Sequence, residues 1–236
     1  MPDVALVTGA AGALGAQVAL TLSQRGHKVA LFDSKAASAR LDGLASSLGG
    51  ACVVAGDLAN EATWREGMAR VERELGATPS RAALIAGAWR GGRPVHEEET
   101  DDTWRTLMTA NVETAYRGLR ALLPSMVAKQ RGSVVVVGSR AATEPWTSAG
   151  AAVYAASKAA VVALAQAVSA EVLERGVRIN AILPSTLDTP ANRAAMPHAD
   201  PTRWVSLESA AGVVAFLLSD ESRDIHGAAI PVYGGA

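Results

Sequence analysis

Cysteine is nearly absent. The chain has one, Cys52, among 236 residues. A lone thiol makes no internal disulfide, so a reducing, cytoplasmic setting is expected. Cys52 heads the apolar run Cys52-Val53-Val54 and reads as a small core residue. Aromatic residues are 4% of the chain and charged residues 19%, with a formal net charge of −1 and no long basic block. Nucleic acid therefore finds no electrostatic footprint. The four histidines, His27, His96, His198 and His226, lack metal-ligand spacing, so no metal is expected. No apolar run reads as long enough to span a membrane, and no membrane partner is expected. Met1-Pro2-Asp3 reads as entering the first strand directly, without a signal peptide. No Gly-Lys-Ser/Thr element follows the first turn, which argues against phosphoryl transfer.

Hydrophobic residues, at 49%, are plentiful. That content and the length fit one domain, residues 1–236, with a large core. Strand and helix patterns alternate throughout. Strands are expected near 4–8, 28–32, 51–55, 81–86, 133–137, 177–183 and 229–232. Helices are expected at 16–22, 35–48, 60–75, 100–127, 150–174 and 206–219. The pattern calls for an α/β fold of the Rossmann type: a doubly wound parallel sheet of about seven strands with helices on both faces. Residues 185–205 carry several prolines and read as a short substrate loop.

The first strand runs into Thr8-Gly9-Ala10-Ala11-Gly12-Ala13-Leu14-Gly15, and a helix follows. A helix N-terminus presents unpaired N–H groups and the positive end of its dipole. Gly9, Gly12 and Gly15 let a pyrophosphate approach that backbone, and Ala13 is the next smallest choice. The G-x-G-x-x-G spacing is not met, so a tight turn that binds nothing is the competing reading. Asp33 ends the second strand, where a carboxylate accepts from a ribose 2′-hydroxyl and repels a 2′-phosphate. The glycine turn holds no lysine or arginine. Both features favour NAD over NADP, although Lys35 lies close by; a plain turn aspartate is the alternative.

Tyr154 and Lys158 stand four apart in a predicted helix and share a face. A nearby ammonium, together with a cationic nicotinamide ring, favours phenolate and lowers a tyrosine pKa, making it a proton donor and acceptor. The alternative is a surface tyrosine beside a lysine stem. Ser139 follows the valine strand, where its hydroxyl can hold a substrate oxygen. Asn111 sits inside a helix that asparagine disfavours, and there it can kink the helix and hold a relay water.

Thr8 to Gly15, Asp57-Leu58, Ala86-Gly87, Asn111, Ser139 and Tyr154-Ala155-Ala156-Ser157-Lys158 together resemble the classical short-chain dehydrogenase/reductases. The resemblance runs the whole chain, including the Gly227–Gly235 ending. It implies that Tyr154 is the acid/base and that Lys158 lowers its pKa and binds the nicotinamide ribose. It further implies that Ser139 positions the carbonyl and Asn111 completes the relay. Gly9, Gly12, Ala13, Leu14, Gly15, Ala86 and Gly87 would hold the dinucleotide, with Asp57 and Leu58 against the adenine. Pro184 and Thr189 match the segment that holds the carboxamide. A homotetramer or dimer built on the helices 101–127 and 150–174 is implied too. Two departures stand out. Ile85 replaces the usual asparagine, with loss or replacement of a sheet hydrogen bond, and Ser185 replaces a glycine.

Trp89, Trp146 and Trp204 fall in loops that could line an apolar pocket, and Arg90, Arg93 and Arg140 could meet an anionic substrate group. Packing tryptophans and solvated arginines are the alternative. The expectation is an oxidoreductase that moves hydride between a nicotinamide cofactor, NAD ahead of NADP, and a small secondary alcohol or ketone. Reduction of an imine or pterin-like ring, or a non-catalytic dinucleotide sensor, remains open.

Overall fold

The computed structural model describes residues 3–235. Met1 and Pro2, which the sequence reads as leading into the first strand, lie outside the described residues. Seven strands form one sheet: β1 (Val4–Thr8), β2 (Lys28–Asp33), β3 (Cys52–Ala55), β4 (Arg81–Leu84), β5 (Gly132–Val137), β6 (Val177–Pro184) and β7 (Ala229–Val232). Their spatial order is β3-β2-β1-β4-β5-β6-β7, and every pairing is parallel. The order reverses between β1 and β4. Such a reversal opens a crevice beyond the strand C-termini, where ligands of doubly wound sheets bind.

Period-two alternation builds two cores from the same strands. Val4, Leu6, Val134, Val136, Ile179 and Leu183 face one side. Ala5, Val7, Val135 and Ile182 face the other. Helices α3 (Glu61–Leu75), α5 (Thr114–Ala128) and α6 (Ala152–Val172) cover the first side through Trp64, Val71, Leu119, Leu122 and Val161. Helices α1 (Ala13–Gln24), α2 (Ser38–Ser47) and α8 (Leu207–Leu218) cover the second through Val18, Leu22, Leu41 and Val214. The remaining short helices are α4 (Asp102–Leu107) and α7 (Pro190–Ala195).

Helix ends follow local chemistry. The Asn60 side chain accepts from Ala62 N at 2.9 Å and caps α3, and Ser206 accepts from Ser209 N at 3.1 Å and caps α8. Four expectations change. The first helix starts at Ala13 rather than Ala16, since small residues continue it back to the glycine turn. The helix expected over 100–127 is interrupted by a π-helical turn at Met108–Glu113, which contains Asn111. The loop over 185–205 contains α7, capped by Thr189. Lastly, the segment Ala152–Arg175 is long and apolar enough by composition to cross a bilayer, against the sequence reading. Its alanines and valines together give that hydropathy. One face of α6 packs on the sheet and carries buried Ser157, Lys158 and Ser169.

Candidate active site

The glycine turn after β1 closes against the end of β4. Gly9 has φ of 64°, and a Cβ there would stand 2.9 Å from the Ala86 backbone. A Cβ on Gly15 would stand 2.1 Å from Gly9 O, whereas one on Gly12 would be 3.2 Å from the same oxygen. Gly12 is the N-cap of α1. No side chain caps this helix, and no acidic residue lies in its first turn. The first N–H groups and the dipole therefore face the crevice. Asp33 faces the same turn: Oδ2 accepts from Ala11 N at 2.9 Å and Oδ1 from Ser34 N at 2.7 Å. A free helix N-terminus, clearance that a Cβ would remove and a carboxylate at the β2 end together fit a dinucleotide.

Other sequence-selected residues have mixed placements. Asp57 is exposed, and its Oδ1 accepts from Ala59 N at 3.0 Å. The side chains of Leu14 and Leu58 are in the two cores, so a ligand meets only their backbone. Pro184 ends β6 and is buried. Thr189 Oγ1 accepts from Asn192 N at 3.1 Å, which keeps its hydrogen free to donate. Ser185 does not need the glycine conformation, since Gln130 is the only non-glycine residue with positive φ among those described. Its hydroxyl donates to Tyr233 O at 2.7 Å. Ile85 likewise has a substitute for the missing asparagine. Thr8 Oγ1 accepts from Ile85 N at 2.9 Å and from Ala86 N at 3.0 Å, tying β1 to the end of β4.

A polar network joins the ends of β4 and β5 to α6. Asn111 is 1% exposed. Its Oδ1 accepts from Ala88 N at 2.7 Å, and its Nδ2 donates to Ala88 O at 3.1 Å and to Ser157 Oγ at 2.9 Å. Both amide hydrogens are thus used, and the side chain acts as a strut. Asn111 sits in the π turn, a geometry that takes backbone carbonyls out of the regular helical ladder. Ser157 Oγ donates in turn to Tyr154 O at 2.8 Å. The sequence reading gave Ser157 no role. Its signal was a serine three residues past Tyr154 inside a helix, where serine seeks a backbone carbonyl. Lys158 Nζ donates to Val137 O at 2.9 Å. Gly87 leaves the space for this meeting, since a Cβ there would be 2.6 Å from Asn111 Oδ1 and 3.3 Å from Lys158 Nζ.

Tyr154 and Lys158 share the crevice face, with Nζ 6.0 Å from the ring centroid. The chain's own groups do not by themselves acidify the phenol as Lys158 together with a cationic nicotinamide ring is expected to. Burial pushes the Tyr154 phenol up, and the adjacent Ser139 hydroxyl pulls it partly back. Burial lowers Lys158 to about 8. Desolvation wins because the ammonium is set back from the phenol and is itself out of water. Ser139 Oγ also accepts from Ala141 N at 3.2 Å, fixing the hydroxyl at the β5 end.

The lysine shift gives a stability prediction. Its unfolded value is near 10.5 and its folded value about 8. Between these the unfolded chain binds more protons, so stability rises with pH. From pH 8 to 10 the wild type should gain up to about 1.4 kcal/mol per pH unit relative to Lys158→Met in denaturant melts. Parallel curves for the two proteins would remove the assigned shift.

The substrate side is open. Trp89 and Trp146 are 65% and 76% exposed. Trp146 flanks a depression floored by Ala152, Ala156 and Ala159, about 150° round α6 from Tyr154. Trp204 is half-buried, with its backbone against Gly234. Arg140 is engaged by Glu144 at 2.7 Å and lies over the Tyr233 ring at 5.2 Å.

Residues 3–200 match the family model described as short chain dehydrogenase. The chain is 29% identical to a 2,5-dichloro-2,5-cyclohexadiene-1,4-diol dehydrogenase of Sphingobium indicum, over 98% of this chain and 95% of that one. It is 36% identical to a galactitol 2-dehydrogenase of Cereibacter sphaeroides, over 78% and 71%. Among solved structures, NAD+-bound xylitol dehydrogenase superposes with a TM-score of 0.85 at 27% identity, covering 99% and 98%. With the glycine turn, the Tyr154–Lys158 face and these likenesses together, the chain belongs to the short-chain dehydrogenase family and is a nicotinamide-dependent oxidoreductase.

Proposed function

We propose that the protein is an NAD(H)-dependent oxidoreductase that interconverts a small secondary alcohol and its ketone. The observation that carries this reading is the convergence of Ser139, Tyr154, Lys158 and Asn111 beside Gly87, at the edge of the crevice that begins at the glycine turn. A nicotinamide cofactor supplies or accepts the hydride when bound. Gly9, Gly12, Ala13, Leu14 and Gly15 offer backbone to its phosphates, and Asp33 offers a carboxylate to a ribose. Asp57 and Leu58 are offered to the adenine, Ala86 and Gly87 to the cofactor between it and Lys158, and Pro184 and Thr189 to the carboxamide end.

The chain's own part is proton transfer and positioning. The Ser139 hydroxyl holds the substrate oxygen, and the Tyr154 phenol gives that oxygen a proton in reduction or takes one in oxidation. Burial keeps the phenol protonated, which favours the donor role. Lys158, on the same helix face, stands where ribose hydroxyls would meet it. The alcohol names of the curated relatives support the substrate class. A homodimer or homotetramer on residues 101–127 and α6 belongs to the same reading, supported by the exposure of Trp104 in α4 and Tyr116 in α5, 52% and 47%.

A screen of alcohols and ketones of graded size, followed through NADH absorbance, tests the reaction class. Turnover of secondary alcohols or ketones is expected; turnover confined to imines or pterin-like rings would overturn the substrate class. Asp33→Ala tests the cofactor. Its loss removes the brace on Ala11 N for both cofactors but the ribose contact for NAD alone. The NAD-to-NADP ratio of kcat/KM should therefore fall about tenfold or more. An unchanged ratio would remove Asp33 from the cofactor site.

A further inference from the structure

The loop over 185–205 is tied at its entry and near its exit by one short segment, Tyr233–Gly235, which follows β7. The β6–β7 pairing sets Pro184 opposite Val232. One residue further, Ser185 N donates to Val232 O at 3.1 Å, and the Ser185 hydroxyl donates to Tyr233 O at 2.7 Å. The segment then turns at Gly234, whose φ is 63° and where a Cβ would stand 2.8 Å from Arg203 O. Gly235 N donates to Arg203 O at 3.0 Å, and Arg203 Nε donates back to Gly235 O at 2.9 Å.

Two of these bonds are made by backbone alone and would form with other side chains. Two depend on residue type, those from the Ser185 hydroxyl and the Arg203 guanidinium. Arg203 is exposed, so its bond competes with water. Ser185 is half-buried, and its acceptor belongs to an anchored residue. Tyr233 packs against the first core, its hydroxyl shares a hydrogen bond with Thr143 Oγ1 at 3.0 Å, and Arg140 lies over its ring. A glycine at 185, as the family resemblance leads one to expect, would keep the backbone bond and lose the other. It would also free the backbone where β6 ends.

The loop has a second hold from the α8 side. Buried Val205 donates its N–H to Thr186 O at 2.9 Å and accepts from Asp188 N at 2.8 Å. Asn192 Nδ2 donates to Leu187 O at 2.8 Å, and Arg193 Nε donates to Asp188 at 2.6 Å. A run held from one side can pivot about that side. Held also through Ser185, the run from Pro184 to Thr189 is fixed from both. Thr189 keeps a hydroxyl hydrogen free to donate, so its position decides what that hydrogen can reach. We propose that Ser185 is a positioning residue for the nicotinamide end of the cofactor, holding the Pro184–Thr189 run in its binding shape before the cofactor arrives. This rests on the cofactor reading above. A ligand that meets a preformed loop loses less affinity to ordering it.

Titration calorimetry of the full chain with NADH and with ADP-ribose tests this. ADP-ribose keeps the adenosine, pyrophosphate and second ribose but has no nicotinamide. The wild type should bind NADH more tightly than ADP-ribose. Ser185→Ala removes the hydroxyl and keeps the backbone bond. Its NADH affinity should fall about tenfold, with ADP-ribose affinity unchanged. Ser185→Gly should lower NADH affinity at least as far, because it adds backbone freedom to the lost bond. Equal losses of both ligands would make Ser185 a merely structural residue and overturn the proposal. So would an NADH affinity that neither variant changes. A wild type that binds the two ligands equally would remove the carboxamide role of Pro184 and Thr189, and the proposal with it, yet leave the glycine turn as the phosphate site. Binding of neither ligand would overturn the cofactor reading itself and everything that rests on it.

Discussion

Tyr154→Phe should bind cofactor as the wild type does and lose about 10²- to 10⁴-fold in turnover, the contribution typical of a positioned proton donor. The substitution removes one oxygen and leaves the ring. The frame around it is held by other groups: Lys158 by Val137 O, and Asn111 by Ala88 and Ser157. Even Ser157 bonds to the backbone carbonyl of Tyr154, not to its phenol. Nothing in the network should move, so kcat and kcat/KM should fall together with the cofactor dissociation constant unchanged. Steady-state rates with a substrate from the screen, and quenching of NADH fluorescence for affinity, separate the two quantities. Turnover within a few-fold of wild type would falsify the role given to the phenol. Lost cofactor affinity would mean that the ring itself, rather than its proton, was the essential part.

Gly15→Ala should cost both cofactor affinity and stability. The added Cβ would stand 2.1 Å from Gly9 O and 2.9 Å from Ala10 Cα. Both are backbone atoms, so no side chain can swing away. Gly9 has no freedom to retreat either, since its own far side lies against the Ala86 backbone. The turn must open, at a cost of about 1–3 kcal/mol, and the N–H groups that would hold phosphates lose their aim. Losing two such charge-assisted hydrogen bonds should weaken NADH binding about 100-fold or more. Gly43 supplies the control. It lies in α2, and a methyl group added there would meet nothing within 4 Å. Gly43→Ala should stabilise the chain by about 0.5–1 kcal/mol and leave binding alone. Thermal melts and NADH titrations of both variants make the comparison. Equal behaviour of the two would show that glycine content, not the collision at Gly9, governs the turn.

The strands were easy to read because their residues serve both faces of a parallel sheet. Ser133-Val134-Val135-Val136-Val137 is apolar after its serine, and its valines divide between the two cores. Breaks in helices were harder. Nothing local marks Met108–Glu113 as a π turn apart from Asn111, whose reason for being there is Ala88, 23 residues earlier. Arg81 shows the same difficulty. It opens a buried strand as an arginine because Asp220 waits 139 residues later. The loop positions of the tryptophans suggest a shared pocket, and the structure leaves Trp89 and Trp146 largely exposed.

The residues alone dictated the alternating α/β order, the glycine turn feeding α1 and the common face of Tyr154 and Lys158, because each depends on neighbours within a few positions and on the fixed periods of helix and strand. Tertiary structure decided the rest. It made Asn111 a strut, replaced a missing asparagine at Ile85 by the hydroxyl of Thr8, and raised rather than lowered the phenol's proton affinity. Those outcomes depend on which distant backbone groups and how little water surround a side chain. Spacing along the chain records neither; only packing sets them.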